Sequence, residues 1–162
     1  MSTPIEVREG SEADRDTLLG FHRSLYESHR REVITADVLP LIEYRDYARA
    51  IEDDVDTLLA DPHSHILIAE SGGVAVGYIT GRTMVEPRRV LPRRGVVNDW
   101  YVDPVHRGQG IGAALLRKIE ERFRSVGCQA IESATWSSND GARRAHDSLG
   151  FQEIRVIYRK RL

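Results

Sequence analysis

The chain is poor in cysteine, and this shortage limits both its chemistry and its location. Cys128 is the only cysteine among 162 residues, so an intrachain disulfide is excluded. A lone thiol suits a reducing compartment, and we expect Cys128 to be buried and unreactive. The sequence also lacks a run of about 20 apolar residues, and residues 1–10 have no apolar core, so we expect neither a membrane span nor a secretory leader. These features predict a cytoplasmic protein.

The chain also lacks an excess of either charge. It has 23 Lys and Arg against 25 Asp and Glu, a formal net charge of -2. This balance gives no general attraction to nucleic acid or to an anionic membrane, so neither is expected as a partner. The six histidines show no metal-ligand spacing, and we expect no metal. A hydrophobic content of 41% over this length predicts one core and a single domain, residues 1–162.

Hydrophobic periodicity divides the chain into alternating strands and helices. Ser11 and Asp14 have the spacing of a capping box and predict a first helix running through Leu25. Further helices are predicted at residues 44–60, 110–126 and 140–149. Strands are predicted at residues 5–7, 65–70, 74–82, 96–102, 129–135 and 151–161.

A glycine-rich turn follows the strand at residues 96–102 and opens the third helix. Gly108, Gly110 and Gly112 let the backbone approach a ligand, and the helix start presents unpaired N–H groups there. An anion fits such a turn best, and Arg107 adds a forked donor set suited to phosphate oxygens. The pattern therefore predicts a pyrophosphate site, with a surface turn that binds nothing as the alternative.

Two common phosphate-binding motifs compete for this loop. A P-loop is excluded because no lysine follows the glycines. The dinucleotide fingerprint G-x-G-x-x-A is satisfied by Gly108, Gly110 and Ala113, with Glu132 about 20 residues further on. Its context is wrong, because residues 103–107 separate the strand from the glycines and too little chain follows for a doubly wound sheet. A nucleotide-dependent oxidoreductase therefore stays a minor alternative.

The loop residues 107–112, R-G-Q-G-I-G, resemble the Q/R-x-x-G-x-G/A loop of the GCN5-related N-acetyltransferases. The likeness extends to W-Y-V-D-P at residues 100–104 and to N-D-G-A-R-R-A-H-D-S-L-G-F at residues 139–151. The C-terminal tail is similar to the aminoglycoside 6'-N-acetyltransferase branch. The resemblance implies the acyl-CoA N-acyltransferase fold, an α/β fold with a mixed, mostly antiparallel central sheet flanked by helices.

The same resemblance implies that acetyl-CoA is the co-substrate, bound without a metal. In that family the loop binds the pyrophosphate, and the preceding strand lies along the pantetheine arm and offers a main-chain N–H to the oxyanion. Carried over position by position, the expected cofactor-binding residues are Trp100, Tyr101, Val102, Arg107, Gly108, Gln109, Gly110, Ile111, Gly112, Ala113 and Asn139.

Two residues are expected to move protons. Family members often carry a carboxylate on the central strand that acts as the base. In this chain Asn98 holds the usual position of that carboxylate, and an amide cannot accept a proton. Asp99 is therefore the candidate base. The alternative is a structural carboxylate with waters as the base. Many members place a proton-donating tyrosine where this chain has His146, and an imidazole can donate to the leaving thiolate. The alternative for His146 is a packing role.

The amine acceptor is less well indicated. His22 lies on the first helix, near where acceptors enter in the family, and with Asn98 it is the predicted substrate contact. Positions that are acidic in the aminoglycoside branch fall on Asn98, Ala134 and Arg155, which argues against that substrate. An acidic run in the second helix could attract a cation, but we favour a solvated helix face for its four carboxylates, Glu52, Asp53, Asp54 and Asp56.

The sequence thus predicts an enzyme, an acetyl-CoA-dependent N-acetyltransferase. It would acetylate a primary amine of a small molecule or peptide by direct attack in a ternary complex, because nothing pairs Cys128 with a base. The alternative is a non-catalytic acyl-CoA-binding module. The apolar alternation of Ile154, Val156 and Tyr158 is compatible with a homodimer formed through the last strand.

Overall fold

The computed structural model describes residues 3–162. Residues 1 and 2, which the predicted single domain includes, lie outside the described residues. The five strands are β1 Ile5–Glu9, β2 Ser64–Ser71, β3 Val74–Val85, β4 Arg93–Val102 and β5 Ala130–Ser133. The α-helices are α1 Arg15–Ser28, α2 Leu39–Ile42, α3 Tyr47–Ala60, α4 Ile111–Ser125 and α5 Asp140–Ser148.

The strands form one sheet in the order β1-β2-β3-β4-β5. Strands β1 to β4 pair antiparallel, and β5 pairs parallel to β4. The predicted α/β fold with a mixed, mostly antiparallel sheet is therefore confirmed. Pairing between β3 and β4 shifts in mid-strand, because Thr80 lies opposite Asp99 while Gly81 lies opposite Val97. Asn98 is the extra residue of this bulge, which is the kind of irregularity that redirects side chains beside active sites.

Helices cover both faces of the sheet. Helix α4 repeats a large apolar residue every four positions, and this stripe of Ile111, Leu115, Ile119 and Phe123 is buried on one face. Helices α1 and α3 pack together on the other face. Because strand side chains alternate between faces, neighbouring residues of β3 belong to different cores. Ile79 packs in the first core, under α4, and Tyr78 packs in the second core, under α1 and α3. The second core comprises Leu18, Phe21, Val55, Ile68, Tyr78 and Tyr101.

Strands β4 and β5 separate partway along their length. Their pairing runs from Arg94 opposite Ala130 to Val97 opposite Ser133, where β5 ends. Strand β4 continues to Val102, so its residues 98–102 have no strand partner on that side within residues 3–162. Main-chain groups on this edge lack strand pairing, and apart from the Val102 carbonyl, which accepts from Arg107, they can meet a ligand.

The predicted strand at residues 151–161 is wrong. No strand forms after α5 in the described chain, and the apolar side chains of Ile154 and Tyr158 are 81% and 92% exposed. The apolar residues do alternate along this segment, but a strand also needs a backbone partner. Strand β5 is only four residues long, and this segment does not pair with it or with the free edge of β4.

Helix boundaries follow local caps. The helix predicted at residues 44–60 begins at Tyr47, because the Asp46 side chain accepts a hydrogen bond from the Arg49 N–H. A π-helical turn, His29–Val33, extends α1 and was not predicted, nor was α2. No helix within residues 3–162 combines the length and apolar character needed to cross a bilayer.

Candidate active site

The loop before α4 is shaped as an anion cradle. Gly108 and Gly110 have φ angles of +76° and +80°, a left-handed backbone that glycine adopts without strain. A Cβ placed on either residue would meet nothing within 4 Å, so the space above the loop is open. Helix α4 begins immediately afterwards at Ile111 and directs its free N–H groups there. This geometry fits a pyrophosphate.

Arg107 and Trp100 join the loop to the end of β4. The Nε of Arg107 donates to the Val102 carbonyl at 3.0 Å, and the Nε1 of Trp100 donates to the Gly112 carbonyl at 3.2 Å. The exposed guanidinium of Arg107 keeps its other N–H groups for a ligand. The cradle is therefore held in register with the free edge of β4.

The predicted cofactor residues differ in which of their atoms a ligand can reach. Tyr101 and Ile111 have buried side chains, so only their main-chain atoms can contact a ligand. Gln109 is exposed within the loop, and Ala113 is exposed on the first turn of α4. The side chain of Asn139 caps α5, where its Oδ1 accepts from the Ala142 N–H at 3.1 Å.

Asp99 faces the side of the sheet covered by α1 and α3. Its Oδ2 accepts a hydrogen bond from Thr80 Oγ1 at 3.0 Å, and its Oδ1 lies 3.4 Å from His22 Nδ1. The same Nδ1 is 3.1 Å from the Tyr78 hydroxyl, and His22 Nε2 is 3.1 Å from Asp54 Oδ2. The structure thus joins Asp99 and His22, which were predicted separately, and places His22 between two carboxylates.

This arrangement keeps His22 charged. Burial alone would lower the pKa of His22, but hydrogen bonds and charges from Asp99 and Asp54 outweigh it and raise the pKa to about 9. Burial first, and then the charge of Asp99, raises the pKa of the Tyr78 hydroxyl well above its usual value. The cluster at neutral pH is therefore one imidazolium, two carboxylates and a neutral phenol. Among residues 3–162, no three histidine, cysteine or acidic side chains form a metal site.

His146 lies on the opposite face, beside the α4 core. Its Nδ1 is 2.6 Å from the Ala142 carbonyl and its Nε2 is 2.8 Å from Ser133 Oγ. The ring meets Trp100 and Phe151 edge to face, with centroid distances of 5.7 and 5.1 Å. The two predicted proton-transfer residues, Asp99 and His146, are therefore not brought together but lie on different sides of the sheet.

Two contacts that sequence analysis missed link the turn after α1 to the segment after β5. Trp136 Nε1 donates to His29 Nδ1 at 3.2 Å, and Ser138 Oγ donates to the Val33 carbonyl at 2.6 Å. These bonds tie the π-helical turn to the segment between β5 and α5. Asn98, the other predicted substrate contact, is exposed in the bulge of β4.

Other missed residues are partners of predicted ones. Asp54 is exposed, as a solvated helix face requires, but its carboxylate also pairs with His22. Thr80, Tyr78 and Ser133 contact Asp99, His22 and His146 from other elements. Strand alternation places Thr80 and Tyr78 on one face of β3, but no local pattern pairs either of them with a particular side chain.

Known proteins match the chain over most of its length. The model of the acetyltransferase (GNAT) family matches residues 23–151. The N-alpha-acetyltransferase RimI of Mycobacterium tuberculosis is 38% identical over 96 residues, which are 59% of this chain and 57% of that protein. An aminoglycoside N(6')-acetyltransferase type 1 of Stenotrophomonas maltophilia is 37% identical over 65 residues, 40% of this chain and 42% of that protein. The matches thus span about half the length of these relatives.

Solved structures share the fold. The aminoglycoside N-acetyltransferase AAC(6')-Iy in complex with CoA superposes with a TM-score of 0.76 at 22% identity, covering 100% of this chain and 98% of that one. This likeness confirms the predicted fold, and the match over residues 23–151 confirms the predicted family. The chain belongs to the acetyltransferase (GNAT) family.

Proposed function

We propose that the chain is an acetyl-CoA-dependent N-acetyltransferase that acetylates a primary amine of a small molecule or peptide by direct attack in a ternary complex. The observation that carries this proposal is the alignment of two features on β4. The free edge at residues 98–102 leads directly into the cradle formed by Arg107, Gly108 and Gly110. A ligand with a pyrophosphate at one end and an extended arm fits that line, and acetyl-CoA is such a ligand.

In this proposal the cradle binds the pyrophosphate through main-chain N–H groups, from Gly108 to Ala113, and through Arg107. The free edge of β4 holds the extended arm, and a main-chain N–H in the stretch from Trp100 to Val102 stabilises the oxyanion. Asn139 acts by capping α5, which carries His146. Acetyl-CoA supplies the thioester, and no metal is invoked.

The acceptor enters from the face of α1 and α3. A primary amine is protonated at neutral pH and must lose a proton before it attacks, and Asp99 is the base. Thr80 and His22 orient its carboxylate, while the two carboxylates and one imidazolium of the cluster carry a net charge of -1 that attracts a cation. His22 and Asn98 border this entrance and contact the acceptor.

The position of the only thiol supports direct attack of the amine on the thioester. Cys128 Sγ lies 3.9 Å from Thr83 Oγ1, three residues along β3 from the Thr80 that binds Asp99. That spacing separates the thiol from Asp99 by about 10 Å of strand, so Cys128 is not placed to carry the acyl group. The single cysteine also supports our placement of the protein in the cytoplasm.

We also propose a homodimer in which the segment after Phe151, here called the C-terminal arm (residues 152–162), pairs with a second copy of the chain. Ile154, Val156, Ile157 and Tyr158 are 53–92% exposed, which is an unfavourable arrangement for an isolated monomer. The outer edge of β5 in the other copy has no strand partner among residues 3–162 and offers backbone partners for an extended segment. Pairing there would give the arm the strand conformation that its alternation indicates.

The proposal is tested by measuring CoA release from acetyl-CoA against a panel of amines. The names of the relatives specify an alpha-amino group and the 6' nitrogen of an aminoglycoside, so peptides with free N-termini and aminoglycosides belong in the panel with polyamines, lysine peptides and amino acids. We expect release with one class, with the acetyl group on its nitrogen. Acetyl-CoA binding without release would instead support the non-catalytic binding module, and absence of binding would overturn the proposal.

A further inference from the structure

The contacts of His146 restrict where its proton can go. A carbonyl oxygen only accepts hydrogen bonds, so the Nδ1 that lies 2.6 Å from the Ala142 carbonyl must carry a hydrogen. The nitrogen left to exchange a proton is Nε2. That atom does not face open space, because Ser133 Oγ lies 2.8 Å away. Any proton that leaves His146 through Nε2 therefore passes first to Ser133.

The imidazole cannot swing to another partner. Its ring is held edge to face between Trp100 and Phe151, at centroid distances of 5.7 and 5.1 Å, and is anchored to α5 through Ala142. A serine hydroxyl, in contrast, turns about one bond and can point its hydrogen in several directions. Ser133 is thus the mobile member of the pair.

Ser133 also occupies the point where the two strands separate. It is the last residue of β5, and Val97 opposite it is the last residue of β4 that has a partner on β5. The next residues of β4 are Asn98 and Asp99, the bulge and the base. The hydroxyl therefore lies at the inner end of the gap, on the side of the sheet opposite His22.

We propose that Ser133 is a catalytic residue that carries the proton from His146 to the leaving thiol. The proposal rests on the acetyl transfer proposed above. As the carbon–sulfur bond of the thioester breaks, its electron pair goes to sulfur, which takes the hydroxyl hydrogen of Ser133. The Ser133 oxygen receives the Nε2 hydrogen of the His146 imidazolium at the same time, which leaves a neutral imidazole and a thiol. The amine nitrogen releases two protons, one before it attacks and one as the amide forms, and both leave through Asp99 to solvent. Solvent returns one proton to His146, so each turnover releases one proton overall.

The protonation state of His146 determines where the hydroxyl hydrogen of Ser133 points. In the imidazolium form Nε2 donates to Ser133 Oγ, and the serine hydrogen is free to point into the gap. In the neutral form Nε2 accepts, and the serine hydrogen points back at the ring. The pair therefore presents a donor to the thiol only when it holds a proton to give.

The test compares Ser133→Thr with Ser133→Val, which have the same shape and differ only in the hydroxyl. Removal of a proton-transfer group slows turnover by about 10²-fold or more, so we expect Ser133→Val to lose that much kcat and Ser133→Thr to stay within about threefold of the wild type. The Kd for acetyl-CoA, measured by calorimetry, should be similar in both. Ser148→Ala serves as a control, because its hydroxyl bonds the Ala145 carbonyl on the same helix.

A double variant tests whether the two residues act as one unit. His146→Gln should lower kcat as much as Ser133→Val. The double variant should have nearly the same kcat as either single variant, because each single substitution already blocks the whole proton path. Equal kcat in the Thr and Val variants would overturn the relay, as would losses that multiply in the double variant. Both results require acetyl transfer by the wild type, so failure of the proposed function would be seen separately, as absence of CoA release.

Discussion

The carboxylate of Asp54 on α3 lies 3.1 Å from the imidazole of His22 on α1, and the other ring nitrogen of His22 faces Asp99 on β4. Asp54 is 55% exposed and Asp99 is 20% exposed. His22 therefore connects a shielded carboxylate in the sheet to one in contact with solvent. Because both nitrogens of the charged ring carry a hydrogen, His22 can donate to both carboxylates at once.

Asp54→Asn should lower the pKa of His22. Removal of one carboxylate lowers the pKa of His22 from about 9, because Asp54 is one of the two groups that outweigh the effect of burial. The titration of the His22 ring protons by NMR measures this change. Asp53→Asn is the matched control, because Asp53 is a neighbouring exposed carboxylate that pairs with Arg49 instead. An unchanged His22 titration in Asp54→Asn would contradict the pairing.

The charge on His22 also predicts how stability depends on pH. The folded-state pKa of about 9 lies above the ordinary 6.5, so protonated His22 stabilises the fold. This contribution is complete below about pH 6.5 and is lost as the pH rises through about 9. We expect His22→Gln to reduce the fall in the free energy of unfolding between these values. Urea unfolding at the two ends of the window measures it, and the exposed His63→Gln should keep the wild-type dependence.

The phosphate cradle was predictable from sequence because its causes are local. Gly108 and Gly110 adopt positive φ angles within one short segment, and Ile111 begins the helix directly after it. The cluster around His22 was not predictable in the same way. It joins α1, α3, β3 and β4, and neither Asp54 nor Tyr78 belongs to a motif that points to His22.

The two proton-transfer residues illustrate the same limit. Asp99 and His146 were each found by position, but the sequence gives no sign that they lie on opposite faces of the sheet. That separation follows from strand alternation next to the bulge at Asn98, which changes the register between β3 and β4. The predicted C-terminal strand is absent for a related reason. Alternating apolar residues indicate that a segment can form a strand, but they do not identify the strand with which it would pair.

Asp99→Asn tests the base. The amide keeps the shape of the side chain but cannot take up a proton, so we expect kcat to fall by roughly 10²–10⁴-fold. The Kd for acetyl-CoA should change by less than about threefold, since Asp99 lies on the acceptor face. Steady-state kinetics and calorimetry give the two quantities. Glu132→Gln, which alters a carboxylate on the neighbouring strand that pairs with Arg94, should leave kcat near the wild-type value.

Gly110→Trp tests the cradle. A large side chain at this position would fill the open space above the loop, and we expect acetyl-CoA affinity to fall by at least about 100-fold. Gly73→Trp is the matched control, because Gly73 has a φ of +78° and equally open surroundings but lies in the turn between β2 and β3. Both variants should lose about 1–2 kcal/mol of stability from the left-handed backbone. Equal affinities in the two would contradict the loop assignment.

The C-terminal arm provides the last prediction, on assembly. Ile154 and Tyr158 are almost fully exposed, and burial of two such side chains against a second copy would stabilise a dimer by about 1.5–3 kcal/mol each. Ile154→Asp combined with Tyr158→Asp should therefore convert a dimer into a monomer, as measured by light scattering after gel filtration. Val90→Asp is the control, because Val90 is 96% exposed in the turn between β3 and β4 and belongs to no proposed interface.

A wild type that stays monomeric at high concentration would contradict the dimer. Dimers that persist in the double variant would show that another surface forms the contact. If the arm of one copy pairs with the free edge of β4 in the other, dissociation should also change catalysis, because residues 98–102 form the edge that we assign to the extended arm of acetyl-CoA. The two occupants would then compete, and the Kd for acetyl-CoA should be lower in the monomeric variant than in the wild-type dimer. An unchanged Kd would instead agree with pairing at the outer edge of β5, which leaves the acetyl-CoA site open.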